Sequence, residues 1–250
     1  MRLHSLEAER LSSGRFIPPW VRNEHSARYK FAERYVEGRV VVDCACGVGE
    51  GTSHFLRAGA KRIHAFDVSE SSIETARRNC ESSLVEFRVA DALNLPIEAE
   101  SADVFISLET IEHIREDVEF VWEISRILKP DGLLVCSTPN RTLTNPGLGL
   151  DEQPFNPFHI REYSASEFHD LLGACFSEVM LYGQNPRSRG YTRAFAAAGK
   201  LTPLRGATRI NQILKLPRLI RYNRAYAEVV KMKPTYEYEY VVAVCRKRPR

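Results

Sequence analysis

The sequence of 250 residues lacks several features that would place it in a special class. It has no run of 18 apolar residues, so we expect no helix that crosses a bilayer. The first seven residues lack the apolar core of a secretory signal. Six cysteines are present, but Cys44-x-Cys46 has no second pair to accompany it, which argues against a cysteine-ligated zinc site. We therefore expect reduced thiols in a cytoplasmic protein, peripheral to a membrane at most.

The charge of the chain is unevenly distributed. The formal net charge is +3, yet residues 186–250 hold 16 Lys and Arg against 3 acidic residues, and residues 1–185 hold 19 against 29. So basic a segment is suited to an anionic partner. Around residues 215–226 the basic residues alternate with Leu, Ile and Tyr. This pattern fits either a solvated helix or contact with an anionic membrane surface or a charged, lipid-linked glycan.

Nucleic acid is the less favoured partner for this basic segment. Its aromatic residues Tyr191, Tyr222 and Tyr226 would suit stacking on RNA bases. No known RNA-binding module is recognisable, however.

The most informative stretch is VVVDCACGVGEG at residues 40–51. A β-branched run, an acid and then glycines predict a buried strand that enters a helix through a loop close to a ligand. Glycine allows this close approach because it has no Cβ. The spacing Gly47-x-Gly49-x-Gly51 differs from the G-x-G-x-x-G of dinucleotide sites, and no P-loop lysine follows.

Acidic residues follow the predicted strands at one repeated topological position. Asp67 ends the second strand, Asp91 follows the third and Glu109 follows the fourth. Ligands of open α/β sheets bind at the carboxyl ends of the strands. We expect Asp67 to accept hydrogen bonds from ribose hydroxyls and Asp91 to accept one from the adenine amine.

The alternation of strands and helices predicts an α/β fold. We expect a Rossmann-like, doubly wound, mainly parallel sheet of seven strands in a single domain spanning residues 1–250. We also expect residues 1–38 to form an N-terminal helical cap and residues 186–235 to form a basic insertion before the last strand. A helix is predicted at Asp117–Leu128, with one buried face formed by Val118, Val121, Trp122, Ser125 and Leu128.

The turn Glu109-Thr-Ile-Glu112-His113 is a candidate metal site. If the turn is helical, these three side chains lie on one face at i, i+3 and i+4. Two oxygens and one nitrogen suit Mg²⁺ or Mn²⁺. His159, in the loop after the fifth strand, is a candidate fourth ligand at the same sheet edge. The alternative is a metal-free turn that closes the cofactor pocket. The candidates for catalysis are His113, His159 and Glu109, with an unligated histidine as the base.

Three segments of the chain resemble the class I S-adenosylmethionine (SAM)-dependent methyltransferases: Asp43–Gly51, Ser107–His113 and Ile127–Gly132. The resemblance covers about residues 22–185 and implies SAM as the cofactor. Ala45 stands where many members have glycine or another small residue. The implied SAM-binding residues are Asp43, Ala45, Gly47, Gly49, Asp67, Val68, Asp91, Ala92, Leu108 and Tyr29.

Three further segments narrow the resemblance: Glu24–Tyr29, Ser137–Arg141 and Asn156–His159. They resemble the branch that methylates sugar hydroxyls in bacterial polysaccharide and glycolipid biosynthesis. The branch implies a saccharide or a lipid-linked glycan as substrate, and the sequence is compatible with a homodimer.

The E-x-x-E-H turn with a later histidine also resembles two metal-dependent groups. These are the small-RNA 3′-terminal 2′-O-methyltransferases and the ubiquinone-pathway O-methyltransferases. Their resemblance implies Glu109, Glu112, His113 and His159 as metal ligands. We therefore expect a sugar O-methyltransferase assisted by Mg²⁺ or Mn²⁺. The alternatives are RNA 2′-O-methylation, methylation of a catechol in a quinone or natural-product pathway, and a SAM-binding protein without turnover.

Overall fold

A computed structural model describes residues 19–188 and 227–249, with side chains from residue 21 onward. The helices of these residues are α1 Pro19–Ala32, α2 Glu50–Arg57, α3 Glu70–Asn79, α4 Asp117–Ile127, α5 Arg141–Thr144 and α6 Ala165–Gly173. The strands are β1 Val40–Cys44, β2 Arg62–Asp67, β3 Val85–Val89, β4 Ala102–Leu108, β5 Leu128–Pro139, β6 Phe176–Ser188, β7 Val230–Lys231 and β8 Tyr236–Lys247. Two 3₁₀ turns lie at Glu33–Tyr35 and Ile111–His113.

The strands form one mixed sheet in the order β3-β2-β1-β4-β5-β8-β6-β7. Strands β1 to β5 pair in parallel, whereas β8 is antiparallel to both β5 and β6, and β7 is antiparallel to β6. The predicted Rossmann-like fold is thus confirmed, but the predicted strand number of seven and the mainly parallel sheet are only roughly right. The additional strand, β7, has two residues, too few to give a periodic sequence signal.

The core consists of two apolar layers, one on each face of the sheet. One layer packs α4 and α6 against the sheet through Phe105, Phe120 and Phe168. The other packs α1, α2 and α3 through residues such as Phe31 and Phe55. Strands covered on both faces have continuous apolar sequences, as VVV in β1 does.

The predicted apolar face of α4 is only partly right, because Val121 and Leu128 are buried as predicted but Val118 and Trp122 are not. The structure buries Phe120, Ile124 and Ile127, while Val118 is 43% and Trp122 62% exposed. Apolar residues lie on more than one face of this helix, and the face that packs against the sheet is the one with Phe120, Ile124 and Ile127.

The N-terminal cap and the basic insertion are partly described. Helix α1 and the following turn confirm a helix before β1, although residues 1–18 lie outside the described part. The predicted insertion at residues 186–235 begins with the end of β6 and contains β7. The part of the chain that the structure describes does not include residues 189–226, and with them Tyr191, Tyr222 and Tyr226. Among the described helices, none combines the length and the apolar character needed to span a bilayer.

Candidate functional site

The loop between β1 and α2 has the backbone that its glycines predict. Gly47 and Gly49 both have left-handed φ values, 55° and 81°. A Cβ at Gly49 would lie 3.1 Å from the Cβ of Ala76 in α3, whereas a Cβ at Gly47 would meet no atom within 4 Å. Gly49 therefore allows the loop to pack on α3, and Gly47 leaves one side of the loop open. Ala45 also adopts a left-handed φ of 60°, a conformation that glycine adopts at lower cost.

Asp43, at the end of β1, is buried and 6% exposed. Thr52 of α2 donates a hydrogen bond to its Oδ2 at 2.5 Å. Burial, with a smaller effect from Asp67, raises the pKa of Asp43 to about 7. This hydrogen bond joins β1 to α2 and so fixes the two ends of the glycine loop that connects them.

Asp67 spans the glycine loop and the start of α3. Its Oδ2 accepts a hydrogen bond from the Gly47 amide at 3.0 Å, and its Oδ1 accepts one from the Ser69 amide at 2.9 Å. These two bonds hold the Asp67 carboxylate between the glycine loop and α3, at the place where ribose hydroxyls are predicted to bind.

Four other residues of the predicted SAM site follow the carboxyl ends of the parallel strands. Asp91, after β3, is exposed and accepts a hydrogen bond from the Leu93 amide at 3.0 Å. Val68, after β2, is 46% exposed. Ala92 and Leu108 are half-buried. Together these positions provide an acid and an apolar surface, the combination that an adenine ring requires.

Tyr29 of α1 lies over the glycine loop. A Cβ at Gly51 would be 2.8 Å from Cε1 of Tyr29, and the tyrosine ring is 5.7 Å from that of His54. Burial first, and then the carboxylates of Glu50 and Asp43, raise the pKa of Tyr29. Tyr29 is thus uncharged at neutral pH, and its ring packs against the start of α2.

A group of potential metal ligands lies after β4 and β5. One ligand atom each from Glu112, His113 and His159 lies within 4.8 Å of the other two. The two imidazole rings are 4.9 Å apart and nearly perpendicular. The amides of Ile160 and Arg161 donate to the carbonyl oxygen of Glu112 at 2.7 and 3.3 Å, which fixes the loop after β5 to the 3₁₀ turn.

Glu109 lies outside this group, contrary to the predicted set of four ligands. Its φ is 55° and the 3₁₀ turn begins only at Ile111, so the helical i, i+3, i+4 alignment of Glu109, Glu112 and His113 does not form. Its Oε1 accepts a hydrogen bond from Ser137 Oγ at 2.6 Å and lies 3.8 Å from Arg28 Nε.

The protonation of the three-residue group is set by its neighbours. Glu112 is 1% exposed and accepts a hydrogen bond from Thr138 Oγ1 at 3.1 Å. Burial, and then the Glu109 carboxylate, raise the pKa of Glu112 well above its usual range. His113 Nδ1 donates to the Phe158 carbonyl oxygen at 3.0 Å, because a carbonyl can only accept. The lone pair of His113 is therefore on Nε2.

This donor set fits a divalent cation. A nearby cation would favour the ionised form of a carboxyl that burial otherwise keeps protonated. One carboxylate and two imidazoles form a softer set than the two oxygens and one nitrogen expected from the sequence. Since imidazole suits transition metals and Mg²⁺ prefers oxygen, the geometry favours Mn²⁺ over Mg²⁺.

Arg28 is a buried residue of the site that the sequence did not reveal. It is 1% exposed, donates to Gln184 Oε1 at 2.5 Å and lies 4.5 Å from the centre of the Tyr240 ring. Its Nε has no hydrogen-bond partner among the described residues. Arg28, on α1, thus contacts β6 through Gln184 and β8 through Tyr240, and it lies beside the Glu109 carboxylate. Ser137, Thr138 and Glu162 were also missed, because their roles depend on the distance between separate loops.

Comparison with known proteins places these features among methyltransferases. Residues 42–136 match a family model described as a methyltransferase domain. The chain is 34% identical over 173 residues, 68% of its length, to a Mycobacterium tuberculosis protein named a probable S-adenosylmethionine-dependent methyltransferase. It is 33% identical over 144 residues, 56% of its length, to a ubiquinone biosynthesis O-methyltransferase from Methylocella silvestris. The matches span 61% and 56% of those two proteins.

Solved structures support the same fold. A SAM-dependent methyltransferase from Thermotoga maritima superposes with a TM-score of 0.59 at 18% identity, covering 92% of this chain and 93% of the other. The 4+2 cyclase SpnF superposes with a TM-score of 0.60, also at 18% identity, covering 96% of this chain and 87% of the other. Because a cyclase shares the fold, the fold alone does not identify the reaction.

Proposed function

Since this chain belongs to the class I SAM-dependent methyltransferases, we propose that it transfers the methyl group of SAM to a hydroxyl oxygen with the help of a divalent cation. The observation that carries the proposal is the Glu112, His113 and His159 group at the same sheet edge as the glycine loop. When bound, SAM would supply a sulfonium methyl group for transfer to the acceptor oxygen, with S-adenosylhomocysteine as the leaving group and the acceptor proton passing to a base of the protein.

The SAM side of the site is formed by the ends of β1, β2 and β3. Gly47 leaves its side of the loop open to the cofactor. Asp67 would accept hydrogen bonds from the ribose hydroxyls, and Asp91 would accept one from the adenine amine. The hydrogen bond from the Gly47 amide to Asp67 couples the first two elements. This linkage holds the loop and the ribose acceptor in one geometry, as in-line transfer requires.

The acceptor side is formed by the loops after β4 and β5. Glu112, His113 and His159 would hold the cation. A divalent cation at this place would lower the pKa of an acceptor hydroxyl and orient a second, adjacent oxygen. Glu109 stands beside this group, held by Ser137 and Arg28, where it is a candidate acceptor of the hydroxyl proton.

We assign the acceptor to the sugar hydroxyls, in a saccharide or lipid-linked glycan. A vicinal diol is a natural chelator of an open cation site, and the sequence resemblance favours sugars. A second candidate is a catechol of the quinone-pathway type. It is supported by the relatives named ubiquinone biosynthesis O-methyltransferase. Both acceptors present two adjacent oxygens, so the cation would treat them alike.

The test is methyl transfer from labelled SAM to saccharides, catechols and short RNAs, with Mn²⁺ and again with EDTA. We expect turnover on a saccharide that EDTA abolishes and Mn²⁺ restores. His113→Ala should remove this activity, while His169→Ala, a matched change at a half-exposed histidine of α6, should not. Turnover on catechols alone would replace the sugar assignment. Saccharide turnover that EDTA leaves unchanged would refute the role of the cation.

A further inference from the structure

Glu162 is a buried carboxylate in the loop after β5, and neither the sequence pattern nor the proposed reaction assigns it a role. It is 2% exposed. Its Oε1 lies 2.5 Å from His159 Nδ1. Its Oε2 accepts a hydrogen bond from Asn145 Nδ2 at 2.5 Å and another from Thr144 Oγ1. Three donors thus converge on one carboxylate, an acceptor-only group when it is ionised.

The neighbours on both sides of the His159 ring agree on its tautomer. The Glu162 carboxylate accepts from Nδ1, so Nδ1 carries a proton. On the other side, Asn156 Nδ2 lies 2.9 Å from Nε2. Asn156 Oδ1 accepts from the Phe158 amide at 3.1 Å, so the Asn156 nitrogen must donate toward Nε2. Hence the lone pair of His159 is on Nε2.

We infer that Glu162 is a positioning residue that holds His159 in the Nδ1–H tautomer and so keeps its Nε2 lone pair for a cation, which would displace the Asn156 amide that donates to Nε2 in this structure. The inference rests on the proposed cation-assisted transfer. A carboxylate that accepts the second N–H of a metal-binding histidine fixes the ring and raises its basicity. His113 is held in the same tautomer by a backbone carbonyl, so both histidines present Nε2.

The hydrogen bonds predict the effect of one substitution. In Glu162→Gln the side chain has one acceptor oxygen and one donor nitrogen. Asn145 and Thr144 both donate to the Oε2 position, so the amide oxygen will occupy that position. The amide nitrogen then donates to Nδ1 of His159 and moves the proton to Nε2, so the Asn156 amide, which donates to Nε2 in the wild-type protein, must turn its oxygen toward that atom. An Nε2–H tautomer cannot bind a metal through Nε2.

The tautomer can be measured directly in the full-length protein. ¹⁵N-histidine NMR distinguishes the two tautomers, and the His159 signals are identified by their loss in His159→Ala. We expect Nδ1–H in the wild-type protein and in Glu162→Asp, and Nε2–H in Glu162→Gln. Glu152→Gln, an exposed change in the same loop, is the matched control and should keep Nδ1–H. An Nε2–H tautomer in the wild-type protein, or an unchanged tautomer in Glu162→Gln, would overturn the inference.

Mn²⁺ affinity, measured by electron paramagnetic resonance, separates this inference from the proposed function. Glu162→Gln should weaken Mn²⁺ binding about 10- to 100-fold, and Glu152→Gln should leave it unchanged. If the wild-type protein binds no Mn²⁺, the proposed cation role fails, whereas the tautomer measurement still decides what Glu162 does to His159. If the tautomer changes but the affinity does not, the positioning of His159 does not serve the cation.

Discussion

Gly47 and Gly49 are two residues apart, yet substitution by alanine should affect SAM binding at Gly47 and folding stability at Gly49, because only Gly49 is packed against another element. Both have a left-handed φ, which costs an alanine roughly 1–2 kcal/mol. The lower entropy of the unfolded alanine variant offsets roughly 0.4–1 kcal/mol of this. Gly47→Ala should therefore lose about 1 kcal/mol of folding free energy, because its Cβ would enter open space.

Gly49→Ala should cost more because its Cβ would lie 3.1 Å and 3.2 Å from Ala76 Cβ and Cα. Overpacking of this kind adds roughly 1–3 kcal/mol, so the total is about 2–4 kcal/mol. At roughly 2–4 °C per kcal/mol for a chain of this size, the melting temperature should fall by several degrees more than in Gly47→Ala.

SAM binding should show a different pattern. The Gly47→Ala methyl group lies on the open side of the loop, where SAM must approach, so SAM affinity should fall at least about tenfold, or about 1.4 kcal/mol. Thermal unfolding without ligand and calorimetric titration with SAM measure the two effects. The reasoning is refuted if Gly47→Ala binds SAM like the wild-type protein, or if Gly49→Ala is the more stable of the two variants.

Three further substitutions have definite expected outcomes. Gly183→Ala should destabilise the protein by at least about 2 kcal/mol, since the new Cβ would lie 2.1 Å from Tyr238 Cγ; a urea-unfolding loss below about 0.5 kcal/mol, the usual limit of a surface substitution, would contradict this. Because burial raises the pKa of Asp43 from 3.8 to about 7, the folded protein keeps a proton that the unfolded chain releases. Stability should therefore decrease from pH 4 to 7, and Asp43→Asn should flatten this decrease; an unchanged slope of the urea midpoint against pH would refute it. Glu112→Gln should abolish Mn²⁺ binding in a calorimetric titration while Glu109→Gln retains it, and the reverse result would restore Glu109 as a ligand.

The sheet was largely predictable because each strand has its own local signal. The continuous apolar run of β1 predicted that strand, and the acids at the ends of β2, β3 and β4 predicted the edge of the sheet that they share. β7 has two residues and no such signal. The buried face of α4 was only partly predicted: Val121 is buried, but apolar residues such as Trp122 also lie on the exposed face of the helix.

The candidate site was predictable only in part. His113 and Glu112 are adjacent in sequence, so any compact turn brings them together, and His159 was placed by topology. Glu109 was misplaced because its left-handed φ cannot be read from a glutamate in the sequence. Glu162 was missed because its contact with His159 depends on the conformation of the long loop after β5, and a loop has no periodic sequence pattern from which its conformation could be predicted.

The central claim is that Glu112, His113 and His159 bind a divalent cation beside the SAM site. The most direct measurement is anomalous X-ray diffraction from a crystal of the full-length protein grown with Mn²⁺ and S-adenosylhomocysteine. We predict a manganese peak within bonding distance of a Glu112 oxygen and of Nε2 of both histidines. A crystal that contains S-adenosylhomocysteine at the glycine loop but has no manganese peak at these three residues would contradict the claim.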